Sequence, residues 1–80
     1  MANRSMAGPG TAFIAERFRA QRGIMLATTK DIAEKSGLTW DTTNRALRGE
    51  SSMALETFLA VARALGLDPA ELIREAENQD

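Results

Sequence analysis

The chain has no cysteine and no histidine. Without cysteine there is no disulfide framework and no thiolate zinc site. Without histidine the other common soft-metal ligand is missing, together with the usual general base at neutral pH. No stretch approaches the roughly 20 apolar residues that a bilayer-spanning helix needs, and the N-terminus has no apolar run of the signal-peptide kind. Paired carboxylates in an evident cleft are missing too, which leaves nothing for nucleophilic or acid–base work, so an enzyme is the poorest reading. No metal, cofactor, small-molecule ligand or membrane is implied, and a cytoplasmic location is expected.

What is present is enough for one modest core: 80 residues, 44% of them hydrophobic, make one domain. The net charge of -1 hides a division. Residues 1–49 carry eight Lys or Arg against four acids, a balance of +4, whereas residues 50–80 carry two Arg against seven acids, a balance of -5. Such asymmetry fits one half facing a polyanion and one half facing away, although divisions of this kind also arise by chance.

Residues 1–10, rich in small residues and punctuated by Gly8, Pro9 and Gly10, read as a flexible leader. Arg4 within it is either an idle tail residue or an arm for a minor groove. From Thr11, a plausible cap, Ile14, Phe18 and Met25 set a helical spacing, and Gly23 leaves the end of this helix anywhere from 22 to 27. Thr28 followed by Asp31 forms a capping-box pattern for a second helix, with Ile32 and Ala33 facing inward and Gly37 ending it. Thr39 caps a third helix that runs to about Arg48 and stops at Gly49. A fourth shows an inward stripe of Leu55, Phe58, Leu59, Ala62 and Leu65; its start falls at Ser51, Ser52 or near Ala54, and Gly66 closes it. Asp68-Pro69-Ala70-Glu71 opens a fifth with Leu72 and Ile73 as its apolar side, and residues 78–80 fray. The fold class is all-α, with one domain over residues 11–77.

The second and third helices, joined by a short glycine turn at residues 29–48, have the form of a helix-turn-helix. Ala33 is small where the helices cross, Gly37 reverses the chain, and Thr39 satisfies free N–H groups at the start of the projecting helix. At 100° per residue, Thr43, Ala46 and Leu47 form its inner face, and Asp41, Asn44, Arg45 and Arg48 lie opposite. That outer face has the repertoire for base edges: Arg pairs with guanine, Asn with adenine, and Asp accepts from cytosine. Blander roles exist: Asp41 and Arg45 can form a solvated pair, and Arg48 can interact with its own helix dipole. Trp40, at the boundary of the faces, either touches DNA or covers the core edge. For phosphates the candidates are Thr28, Thr29 and Lys30 at the start of the second helix, and Thr39 and Thr42 at the start of the third. Capping explains the first two threonines nearly as well. Arg17, Arg19 and Arg22 read first as solvent charges, with Arg19 and Arg22 as further phosphate candidates.

With RFRAQR in the first helix, TTKDIAEKSGLTWDTTNRALRG through the second and third, and LETFLAVARALGLDPAEL after them, residues 17–75 resemble the lambda-repressor-like, Cro/C1-type (XRE family) helix-turn-helix domain. The resemblance implies a compact five-helix fold that binds double-stranded operator DNA, usually as a homodimer, to control transcription, as in small Cro-like or phage-type repressors. It maps base readers to Trp40, Asp41, Asn44 and Arg45, and a backbone grip to Thr29, where the family usually has Gln. Thr43 stands for the usual Val or Ile, which is expected to cost core burial, and the Pro that often precedes the fourth helix is missing. The same fold also serves antitoxins and protein-interaction adaptors. An exposed apolar patch among Trp40, Val61, Leu67 and Ile73 would favour those roles.

Overall fold

The computed structural model describes residues 8–79, so Arg4 of the leader and the terminal Asp80 lie outside it. It contains five helices: α1 (Pro9–Met25), α2 (Thr29–Ser36), α3 (Trp40–Arg48), α4 (Leu55–Ala64) and α5 (Pro69–Glu77). No strand occurs among the described residues. Helix α1 packs on α3 and α5, α2 on α3 and α4, and α4 on α3 and α5. Phe18, Ile32, Val61, Leu65 and Leu72 are fully buried at the centre, and the Phe18 and Phe58 rings stack with centroids 6.2 Å apart. Burying one such side chain contributes about 1.5–3 kcal/mol, which is how helices this short are held.

Several starts and faces differ from expectation. Helix α1 begins at Pro9, so Pro9 and Gly10 are helix rather than leader, and Thr11 is not the cap. Gly8 holds that place in extended conformation, and Pro9 at the first position brings a φ already suited to a helix. In α4 the buried side is Phe58, Val61, Ala62 and Leu65, while Leu55 is 64% exposed. Leu55 opens the helix, so its spacing is right but its side chain stays largely exposed. Val61 is therefore core and no part of an exposed patch. Of the starts open to α4, the structure takes Ala54, which occupies the cap position without a side-chain bond, and neither Ser51 nor Ser52 caps the helix. In α5 Leu72 is buried, but its neighbour Ile73 is 42% exposed, one step further round the helix.

Thr43 loses no burial. It is completely enclosed, and its hydroxyl donates to the Thr39 carbonyl at 2.9 Å, which removes the penalty of an unpaired polar group.

Candidate nucleic-acid interface

The second and third helices are built by local signals. The Thr28 hydroxyl accepts from the Asp31 amide at 3.0 Å, and the Asp31 carboxylate accepts from the Thr28 amide at 2.9 Å. The Thr28 amide, and after it the Thr28 side chain, hydrogen-bond the Asp31 carboxyl and hold it below its ordinary pKa of 3.8. A carboxylate thus sits in the first turn of α2 beside the phosphate candidates Thr28, Thr29 and Lys30. The cation there, Lys30, is exposed, and Thr29 is half-buried.

Gly37 adopts φ 77° and bonds its amide to the Ala33 carbonyl at 3.0 Å, and the Leu38 amide follows to the same carbonyl at 3.2 Å. Ala33, buried at the crossing, leaves room for α3. Thr39 then caps α3: its Oγ1 accepts from the Thr42 amide at 3.1 Å and donates to the Thr42 hydroxyl, 2.9 Å away. Both threonines stand together at the positive end of the helix, the end that favours an anion.

The faces of α3 are those expected. Thr43, Ala46 and Leu47 are buried, and Asp41, Arg45 and Arg48 are exposed, with Asn44 half-buried among them. Trp40 is 54% exposed, which places much of the ring outside the core. Arg45 pairs with Asp41 at 3.3 Å along the helix, and Arg48 with Glu50 at 2.9 Å. Both pairs lie in solvent, where such contacts are worth at most about 1 kcal/mol.

The first-helix arginines have surroundings of their own within the fold. Arg19 Nη1 donates to the Leu47 carbonyl at 2.6 Å and approaches the Arg48 carbonyl at 3.5 Å, at the far end of α3 from its anion-favouring terminus. Arg22 is half-buried, with its Nε enclosed and unpaired among the described residues. Arg17 pairs with Glu75 of α5 and lies over the Phe13 ring.

Beside Arg45 the structure adds residues that sequence reasoning missed. A depression of about 200 Å³ is lined by Thr42, Arg45, Ser51, Ser52 and Thr57, with Ala46, Met53 and Ala54 as its apolar part. Four hydroxyls thus border the outer face of α3. The signal available was the adjacent serine pair, which reads as a cap until Ala54 is seen to hold that position.

Among the described residues no group of acids could hold a metal ion, and no helix is long and apolar enough to cross a membrane.

The fold recurs in solved structures. The restriction-modification controller protein C.AhdI from Aeromonas hydrophila is 27% identical with a TM-score of 0.68, over 78% of this chain and 94% of that one. The clp gene regulator ClgR from Corynebacterium glutamicum is 24% identical with a TM-score of 0.70, over 85% of this chain and 88% of that one. A point mutant of the restriction-modification controller protein C.Esp1396I is 18% identical with a TM-score of 0.72, over 94% of this chain and all of that one. The last two likenesses concern the fold alone. No curated protein matches the chain. The family model of the Cro/C1-type helix-turn-helix DNA-binding domain matches residues 16–74, most of the chain and all of α2, α3 and α4, and the protein belongs to that family.

Proposed function

We propose that the protein is a sequence-specific transcriptional regulator, a Cro-like repressor, that sets α3 in the major groove of operator DNA. The observation that carries this reading is the outer face of α3. Asp41, Asn44, Arg45 and Arg48 project from a helix whose other side is locked into the core, so their positions are fixed before DNA arrives. Trp40 stands at its leading edge, suited to thymine methyls or a sugar. Thr28, Thr29 and Lys30 at the start of α2 and Thr39 and Thr42 at the start of α3 supply phosphate contacts. Repression follows when the operator overlaps a promoter and the bound domain excludes polymerase.

Dimeric binding is supported by an apolar depression on the α1, α4 and α5 side, lined by Thr11, Ile14, Met53, Leu55, Phe58 and Ile73. Leu55 and Ile73 are the exposed members, and a second copy of this chain would cover both. The name of the 27% identical structure, a restriction-modification controller protein, supports the regulatory role. An interaction role, as in an antitoxin or adaptor, draws support from a different place: Ile24 and Leu26 are 75% and 90% exposed at the end of α1.

The test is Arg45→Ala. The variant should fold normally and lose about 1–3 kcal/mol on the preferred operator while relaxing the choice of base at one position. Lys30→Ala should weaken all DNA alike and reduce the salt slope by about one. Undiminished operator binding by Arg45→Ala would show that α3 does not read sequence through this face.

A further inference from the structure

We propose that Arg19 is a positioning residue, which aims α3 from behind and touches no DNA; this rests on the reading of α3 as the element that meets base edges. Helix α3 has nine residues, too few to hold their own direction without tertiary contacts. Its N-terminal end is fixed through the Thr39 cap and the turn from α2. Its C-terminal end exposes carbonyls that have no partner within the helix.

Two points on α1, one turn apart, hold that end. At the first, Gly49 lies against Ala15 so closely that a Cβ on Gly49 would overlap the Ala15 methyl. At the second, the Arg19 guanidinium donates to the Leu47 carbonyl at 2.6 Å and lies 3.5 Å from that of Arg48. Arg19 comes from 28 residues earlier in the chain, so this is a tertiary tether and no part of the helix's own bonding. It also sets a cation at the negative end of the α3 dipole. With both contacts the end of α3 cannot turn about the other. Without Arg19, this end of α3 keeps the Gly49 seat and the buried Ala46 and Leu47 but loses the hydrogen bond to its terminal carbonyls. Asn44, Arg45 and Arg48 lie in the last turn and a half, so any swing is passed to the side chains that meet the bases.

A phosphate ligand and a positioning residue predict different things of the same substitution. Arg19→Ala and Arg19→Lys should be compared with wild type on the selected operator and on unrelated DNA, across a salt series, with amide exchange measured along α3. If Arg19 positions α3, Arg19→Ala loses operator affinity by about tenfold, the weight of one charge-assisted bond, and keeps its affinity for unrelated DNA. Its salt slope stays that of wild type, amides of residues 46–49 exchange faster while those of α2 do not, and Arg19→Lys recovers most of the loss. A slope shallower by about one, with equal weakening on both DNAs, would make Arg19 a phosphate ligand and overturn the proposal. Unchanged exchange at residues 46–49 would overturn it as well, whatever the DNA results. Should wild type itself prefer no DNA sequence, the reading of α3 fails on its own, and the exchange data still decide whether Arg19 holds the helix.

Discussion

Leu26 ends α1 with φ 56°, alone among described non-glycine residues in having a positive φ, and it is 90% exposed. A leucine in that conformation costs about 1–2 kcal/mol and here buries almost nothing in return. Leu26→Gly should therefore stabilise the fold by about 1 kcal/mol, measured by urea unfolding. A variant no more stable than wild type would mean that the turn carries no strain. Arg45 presents the opposite case. Its pair with Asp41 lies in solvent, so release to a guanine edge sacrifices little, and Asp41 can hold the guanidinium in line until a base replaces it. Residue identities on α3 were readable in the sequence because a 100° step assigns faces to any regular helix. The occupations of Arg19 and Arg22 were not, since both depend on which distant element passes beside them.

Gly37 and Gly49 both have positive φ and both end a helix of the motif, yet their surroundings differ. A Cβ on Gly37 meets open space, whereas one on Gly49 meets Ala15. Gly49→Ala should cost about 1–3 kcal/mol more than Gly37→Ala in thermal or urea unfolding, the excess being the close approach of α3 to α1. Equal losses would mean that α3 rests only loosely on α1. The helix boundaries most legible in the sequence were those marked by side chains acting within four residues: Thr28 with Asp31, Thr39, and Asp68 with Pro69. The misassigned places share the opposite character. Thr11 is a capping residue type at a position where the backbone starts elsewhere, while α4 takes the Ala54 start that the sequence left open beside Ser51 and Ser52. Leu55 and Val61 both suit a helical stripe, and only packing against the other helices decides which one is covered.

Across the whole molecule, the basic first 49 residues carry α1, α2 and α3, and the acidic remainder carries α4 and α5. On the proposed reading, that division turns the acidic helices α4 and α5 from the phosphates and helps to orient the domain. The proposed second copy would cover the apolar depression with Leu55 and Ile73, and a symmetric pair of domains should ask for a symmetric site. The measurement that tests this most directly is selection of bound fragments from random-sequence DNA, sequenced after several rounds. An inverted repeat should emerge, with half-sites about one helical turn apart, roughly 34 Å. A single asymmetric motif would keep the reading by α3 and remove the dimer. Recovery of no motif would contradict the central claim that the outer face of α3 reads DNA sequence.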